Sequence, residues 1–146
     1  MTIDAIRDQL PDYARDLRLN LGSVLTPSGA PGLNEKQIAS IALSTAIASR
    51  NSQLVRAIEA WAQPQLDEAS IDASRAAGAI MGMNNIYYRF LHLVEDGEYQ
   101  TMPARLRMNI IGNPGIDKLD FELLSLAVSA VNGCGLCVTA HERKLR

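Results

Sequence analysis

Apolar residues recur at helical spacing in nearly every segment of this chain, and this periodicity constrains its fold more than any other feature. In one segment Ile38, Ile41 and Thr45 follow one another three or four positions apart, which is the spacing of one face of an α-helix. Strand-like alternation of Val, Ile and Thr is missing. The sequence therefore predicts an all-α fold, built as a helical bundle.

Capping residues and turn signals set the expected helix boundaries. A loop is predicted at 26–32, which holds two Pro, two Gly and one Ser, and Asn34 is the expected N-cap of the helix that follows. Asn132 and Gly133 are expected to break the last predicted helix. Helices are predicted from Ile3 and again from Pro11, from Asn34 to near Arg50, from Leu54 to a stop at Pro64, from Ala73 to Phe90 behind cap candidates at 67–72, and from Asp117 or Lys118 to Val131.

The length and charge of the chain limit what it can be. A chain of 146 residues that is 47% hydrophobic is expected to form a single domain, over residues 1–146, with no need for a disulfide or a metal to build its core. A net charge of −2 and a pI near 5.6 leave no electrostatic footprint for phosphate groups. Nucleic acid is therefore not an expected partner.

No segment predicts a membrane span or a secretory signal. The longest nearly apolar stretch, 38–48, is too short to cross a bilayer, and residues 1–7 lack a basic start followed by an apolar core. The expected location is the cytoplasm, where thiols stay reduced. Two cysteines three positions apart then favour redox chemistry or metal binding over a structural crosslink.

Cys134, Cys137 and His141 form the sharpest motif in the chain, and it follows the break at 132–133. Their spacing places two thiols and an imidazole on one helical face. The helix start favours a thiolate, most directly at Cys134, whereas His141 can take the proton of Cys137 or stabilise its thiolate when charged. The pair can also close into a disulfide after a thiolate is oxidised to a sulfenic acid.

Two other interpretations of the motif stay open at this point. The same three residues could bind zinc, although a fourth protein ligand or a water would then be needed, and His92 is the only other imidazole. The cysteines could also be buried small hydrophobic residues without a function. A redox-responsive or zinc-binding interaction protein is therefore the alternative from a different functional class.

Polar residues in apolar segments are further candidates. Glu122 lies among leucines and could orient His141 or act as the distal base of a proton relay, with its pKa raised by burial. Alternatively it is a first-turn Glu favoured by the helix dipole. Asn84, Asn85 and Arg89 must find hydrogen-bond partners if they are buried, and a purely structural role is possible for them.

A short internal repeat is also present. Residues 40–44 resemble residues 125–129 at an offset of 125 minus 40, or 85. This offset predicts a weak two-fold repeat of the helical scaffold. It places Ser49 and Ser52 where the second copy has Cys134 and Cys137, so that only the second copy carries thiols.

At these residues the chain resembles the alkyl hydroperoxidase D (AhpD) family, within the carboxymuconolactone decarboxylase-like superfamily. The family pattern is a Glu, eleven residues, and then Cys-x-x-Cys-x-x-x-His, which Glu122, Cys134, Cys137 and His141 match in order. The similarity covers essentially the whole chain. It extends to residues 10–14, 81–85, 106–111 and 113–115.

The resemblance implies an antioxidant oxidoreductase, a homotrimer that reduces hydroperoxides or a partner peroxiredoxin of the alkyl hydroperoxide reductase C type. It implies no tightly bound cofactor, since electrons come from dihydrolipoyl groups on a lipoylated 2-oxo acid dehydrogenase component. By the same resemblance Cys137 becomes the sulfenic acid and Cys134 is the proton donor and resolving thiol. A cofactor-free decarboxylase of the wider superfamily is a further alternative, but it would not need two thiols.

The chain departs from the family pattern in two places. Leu136 stands where some members have a second histidine, so His141 and Glu122 are expected to carry the proton relay. The sequence stops at Arg146, whereas similar members continue into further helices. The domain at 1–146 is therefore expected to lack the C-terminal helices of its relatives.

Overall fold

The computed structural model describes residues 2–146, and in that range it is helical without a strand, which confirms the predicted all-α class. No helix in residues 2–146 combines the length and the apolar character that a bilayer crossing requires. The α-helices are α1 (Ile3–Asp8), α2 (Arg15–Val24), α3 (Glu35–Ala48), α4 (Ser52–Ala62), α5 (Glu68–Leu93), α6 (Gly97–Thr101), α7 (Asn109–Gly112), α8 (Lys118–Val131) and α9 (Gly135–Leu145).

Side-chain caps explain where the long helices begin. Asn34 forms a capping box: its side chain accepts from the Gln37 N–H at 2.9 Å, and the Gln37 side chain accepts from the Asn34 N–H at 3.1 Å. This confirms Asn34 as the predicted N-cap. Asp67 caps α5 by accepting from the Ser70 N–H at 2.9 Å. The helix therefore begins at Glu68, earlier than the predicted start at Ala73.

Two short helices were not predicted. The five residues of α6 and the four of α7 are too few to show a helical repeat of apolar positions. Asp96 caps α6 through a hydrogen bond from the Glu98 N–H at 3.0 Å. The helices α6 and α7 lie in the segment that connects the end of α5 to the start of α8.

The centre of the molecule is built from α3, α5 and α8, which pack against one another. Gly78 lets α5 approach α3 closely, because a Cβ at this position would lie 2.7 Å from Cγ2 of Ile47. Phe121, Leu124 and Val128 of α8 are buried against the same helices. The run of small residues in α5 therefore serves packing at Gly78, as its composition predicts.

The structure contains a repeated helix pair, but not at the predicted offset. The pairs α3–α4 and α8–α9 each consist of a 14-residue and an 11-residue helix. Their second helices start at Ser52 and Gly135, an offset of 135 minus 52, or 83, rather than 85. Asn51, the N-cap of α4, is thus the counterpart of Cys134, and the predicted match to Ser49 and Ser52 is wrong.

Candidate active site

The turn between α8 and α9 brings the two cysteines together. After Asn132 the backbone of Gly133 adopts φ +68°, a conformation that favours glycine, and the Cys134 N–H donates to the Ser129 carbonyl at 3.1 Å. Cys134 is the N-cap of α9, and its Sγ accepts from the Cys137 N–H at 3.3 Å. The two residues form a disulfide, with Cα atoms 5.3 Å apart.

Polar side chains of α5 hold this turn from the other side. Nδ2 of Asn85 donates to Oγ of Ser129 at 2.9 Å, and Oδ1 of Asn85 accepts from Nδ2 of Asn132 at 3.0 Å. Arg89 donates to the Asn132 carbonyl at 2.7 Å. Asn85 and Arg89 therefore position the cysteine turn, and both have the partners that burial demands.

A carboxylate from α8 meets the imidazole of α9. Nδ1 of His141 lies 2.5 Å from Oε2 of Glu122, and Nζ of Lys144 donates to Oε1 of the same carboxylate at 2.6 Å. His141 and Glu122 are each 8% exposed. The structure thus brings both predicted relay residues together. The dipole interpretation of Glu122 is wrong, because Asp120 is the acidic residue in the first turn of α8.

The charge state of Glu122 differs from the expectation drawn from its apolar neighbours. Burial does act to raise the pKa of Glu122, but hydrogen bonds from Lys144 and His141 and their positive charge outweigh it. The pKa of Glu122 is therefore lowered, not raised, and the carboxylate is ionised at neutral pH. Lys144 was not identified from the sequence, although its position three residues after His141 places it on the same helical face.

A cavity of about 250 Å³ adjoins the disulfide. Cys137 and His141 are on its wall, whereas Cys134 is fully buried and does not line it. The cavity therefore gives small molecules contact with Cys137 but not with Cys134. The cavity is lined by Met81, Asn84, Tyr88, Met108, Ile111, Leu136, Cys137, Ala140, His141 and Lys144.

The arrangement of the ligand-type side chains does not form a metal cluster in the described part of the chain. Across residues 2–146 no three His, Cys, Asp or Glu side chains converge in a way that could hold an ion. The sulfurs of Cys134 and Cys137 are bonded to each other, and His92 is exposed in the last turn of α5. His92 is thus not part of the site.

Comparisons with known proteins agree with this geometry. The model of the carboxymuconolactone decarboxylase family matches residues 97–146, which contain the cysteine turn. A protein of Coxiella burnetii (strain Dugway 5J108-111) named alkyl hydroperoxide reductase AhpD is 59% identical over 143 residues, covering 98% of this chain and 81% of that protein. The chain belongs to the AhpD family.

Other AhpD proteins match to a similar extent. The alkyl hydroperoxide reductase AhpD of Rhodospirillum centenum (strain ATCC 51521 / SW) is 57% identical over 145 residues, which are 99% of this chain and 76% of that protein. The AhpD of Gluconacetobacter diazotrophicus is 54% identical over 146 residues, or 100% of this chain and 78% of that protein. The AhpD similarity therefore includes every helix described above.

Proposed function

We propose that this chain is a thiol-dependent hydroperoxide reductase that cycles between a dithiol and the Cys134–Cys137 disulfide. One observation carries the proposal: Cys137 is bonded to Cys134 and shares a cavity with His141, whose Nδ1 is held by Glu122. A nucleophile, a resolving thiol and an oriented imidazole are the parts that this chemistry needs. The names of the AhpD relatives support the same activity.

The first step takes place at Cys137. Its thiolate attacks the terminal oxygen of a hydroperoxide, so that an S–O bond forms as the O–O bond breaks. The sulfur is oxidised to a sulfenic acid, and the leaving alkoxide takes up a proton and departs as an alcohol. Access supports this assignment, because Cys137 lines the cavity and Cys134 is fully buried.

The second step closes the disulfide. The sulfur of Cys134 attacks that of Cys137, an S–S bond forms, and hydroxide leaves with the proton of the Cys134 thiol as water. The hydrogen bond from the Cys137 N–H to Sγ of Cys134 supports this role, because a backbone donor at a helix start stabilises negative charge on the sulfur. Helix geometry thus favours Cys134 as the more acidic thiol, and access favours Cys137 as the attacking one.

His141 and Glu122 manage the protons. An ionised Glu122 accepts from Nδ1–H of His141, which leaves Nε2 to take the proton of Cys137 and to return it to the leaving alkoxide. Glu122 stabilises the imidazolium formed between these events. Lys144, which also binds Glu122 at 2.6 Å, keeps the carboxylate ionised.

The reductant and the partners follow from the family resemblance. A dihydrolipoyl group on a 2-oxo acid dehydrogenase component restores both thiols by exchange, and its own two thiols become the cyclic disulfide. The disulfide form of a partner peroxiredoxin of the alkyl hydroperoxide reductase C type is a second oxidant of the two thiols, and exchange reduces it to its own dithiol. We propose that this cycle takes place in the cytoplasm and that the protein assembles as a homotrimer. The cavity supports the exchange step, because Cys137 is part of its lining.

A thiol titration tests the proposal. Protein reduced and freed of reductant is treated with one equivalent of cumene hydroperoxide, and free thiols and bound metal are measured before and after. We expect two thiols to disappear, cumyl alcohol to form in equal amount, and both thiols to return with dihydrolipoamide. Unchanged thiols together with stoichiometric zinc would establish a zinc-binding protein instead.

Matched cysteine variants assign the two roles. Cys134→Ser should stop at a sulfenic acid on Cys137, seen as a dimedone adduct by mass spectrometry. In Cys137→Ser the remaining thiol of Cys134 should react with the hydroperoxide no faster than an ordinary free thiol in solution. Peroxide reduction that persists in Cys137→Ser would refute the mechanism.

A further inference from the structure

Asn84 is a buried amide of the candidate site that the mechanism above does not use. It lies in α5, is 4% exposed, and lines the same cavity as Cys137 and His141. Its Oδ1 is fully buried and has no hydrogen-bond partner within residues 2–146. Buried amides are nearly always partnered, so this atom requires an explanation.

The neighbouring residue shows that the lack of a partner is specific to Asn84. Asn85 is 1% exposed, and both ends of its amide are hydrogen-bonded, to Ser129 and Asn132. A leucine at position 84 has a similar size and would fill the same space without an unpaired oxygen. The fold therefore gains no hydrogen bond from Oδ1 of Asn84, and the amide of Asn84 is left to bind a molecule in the cavity that it lines.

The cavity walls indicate the chemistry of that partner. Met81, Met108 and Ile111 are apolar, and they line the same cavity as Asn84 and Cys137. Such a site suits a molecule with an apolar body and a single polar group close to the sulfur. An organic hydroperoxide has this form, since its terminal oxygen carries the one O–H donor and is also the atom that a thiolate attacks.

We propose that Asn84 is a substrate-binding residue whose side-chain amide hydrogen-bonds the terminal oxygen of an organic hydroperoxide. This inference rests on the proposed hydroperoxide reductase function. The hydrogen bond holds the terminal oxygen beside Cys137, while Met81, Met108 and Ile111 contact the organic group. After the O–O bond breaks, the same oxygen remains as the sulfenic hydroxyl on Cys137, and the amide of Asn84 stays hydrogen-bonded to it.

The test compares two reactions of one thiol. In the Cys134→Ser background, where Cys137 is the remaining cysteine, rate constants are measured for cumene hydroperoxide and for monobromobimane, which has no hydroperoxide group for Asn84 to bind. Asn84→Leu should slow the hydroperoxide reaction about tenfold, the usual effect of losing one neutral hydrogen bond. Alkylation by monobromobimane and the melting temperature should not decrease. Met83→Leu, at the neighbouring position of α5 outside the cavity lining, is the control.

Asn84→Ala serves as the second variant if Asn84→Leu does not fold. Equal hydroperoxide rates in the parent and in a folded Asn84 variant would overturn the role of Asn84 and leave the proposed function intact. A parallel loss in both reactions would also overturn it, because Asn84 would then act on the thiol rather than on the hydroperoxide. If neither variant folds, Asn84 serves the stability of the fold, and its proposed role in binding the hydroperoxide is overturned. A parent that does not react with hydroperoxide would overturn both proposals.

Discussion

Oε2 of Glu122 lies 2.5 Å from Nδ1 of His141, and this contact fixes the orientation of the imidazole beside Cys137. Because the pKa of Glu122 is lowered, the carboxylate is an acceptor at neutral pH, and Nδ1 of a neutral His141 carries the proton. Nε2 is then the nitrogen that can take a proton from the thiol. In the proposed mechanism the carboxylate therefore acts on the thiol through the imidazole ring, without touching the hydroperoxide.

Glu122→Gln should slow sulfenic acid formation about 100-fold or more. Lys144 binds Oε1 of Glu122 at 2.6 Å, so the amide oxygen of the variant stays with Lys144 and its NH₂ group faces Nδ1 of His141. The imidazole must then carry its proton on Nε2, the wrong tautomer for a base, and proton transfer is worth about 100-fold to 10,000-fold. Stopped-flow measurement of the hydroperoxide reaction checks this.

The control for that variant is Glu142→Gln. Glu142 is adjacent to His141 in sequence but pairs with Arg146 on the outside of α9, so its rate should match that of the wild type. A wild-type rate in Glu122→Gln would remove Glu122 from the proton relay. The dimedone adduct of each variant in the Cys134→Ser background identifies the oxidised sulfur.

Stability should fall in acid because of the same carboxylate. The pKa of Glu122 in the fold is below its ordinary value of 4.5, so its stabilisation is fully present above pH 4.5 and is lost as the pH falls through the folded pKa. Glu122→Gln lacks this contribution at every pH. The difference in unfolding free energy between wild type and variant should therefore be largest near pH 7 and shrink below pH 4.5.

Urea unfolding of the reduced proteins at several pH values between 7 and 3 measures this difference. A constant difference over that range would mean that Glu122 titrates alike in the folded and unfolded states. A difference that grows in acid would mean that burial outweighs Lys144 and His141, which is the opposite sign.

Much of the fold and the residues that meet at the candidate site could be predicted from the sequence, because their signals are local. Helix caps such as Asn34 lie within a turn of the residues that they bind, and the Cys-x-x-Cys-x-x-x-His motif lies within two turns of α9. Glu122 was identified as an acid among apolar residues, and the spacing of the family pattern pointed to the same residue. Its contact with His141 was a hypothesis that the structure bears out.

Features that depend on distant segments could not be predicted. Asn85 and Asn132 are 47 residues apart in sequence and touch only because α5 packs beside the cysteine turn. The lowered pKa of Glu122 depends on Lys144. No sequence pattern indicates that this lysine of α9 contacts a carboxylate of α8. The cavity likewise joins residues from α5, α9 and the segment around α7.

Asn85→Ala should destabilise the protein and slow the closure of the disulfide. The variant leaves Oγ of Ser129 and Nδ2 of Asn132 without their partners, which should cost about 2 kcal/mol in the free energy of unfolding. Because the Ser129 carbonyl also accepts from the Cys134 N–H, the turn that presents Cys134, the proposed resolving thiol, should become less ordered. Urea unfolding and the rate of thiol loss after oxidation measure the two effects.

A double-mutant cycle with Ser129→Ala separates this network from simple loss of packing. If the hydrogen bond carries the effect, the double variant should be more stable than the sum of the single changes predicts, by about 0.5 kcal/mol or more. Strict additivity would show that Asn85 and Ser129 do not act through each other.

Two glycines of α5 should respond to the same substitution with opposite signs. Alanine favours the interior of a helix over glycine by about 1 kcal/mol, and a Cβ at Gly82 meets no atom within 4 Å, so Gly82→Ala should stabilise the protein by about that amount. At Gly78 the new Cβ would lie 2.7 Å from Cγ2 of Ile47. Gly78→Ala should therefore push α5 away from α3, and overpacking of about 1–3 kcal/mol should exceed the helical gain. Urea unfolding of both variants measures the two signs, and stabilisation by both would show that α3 and α5 are not in close contact at Gly78.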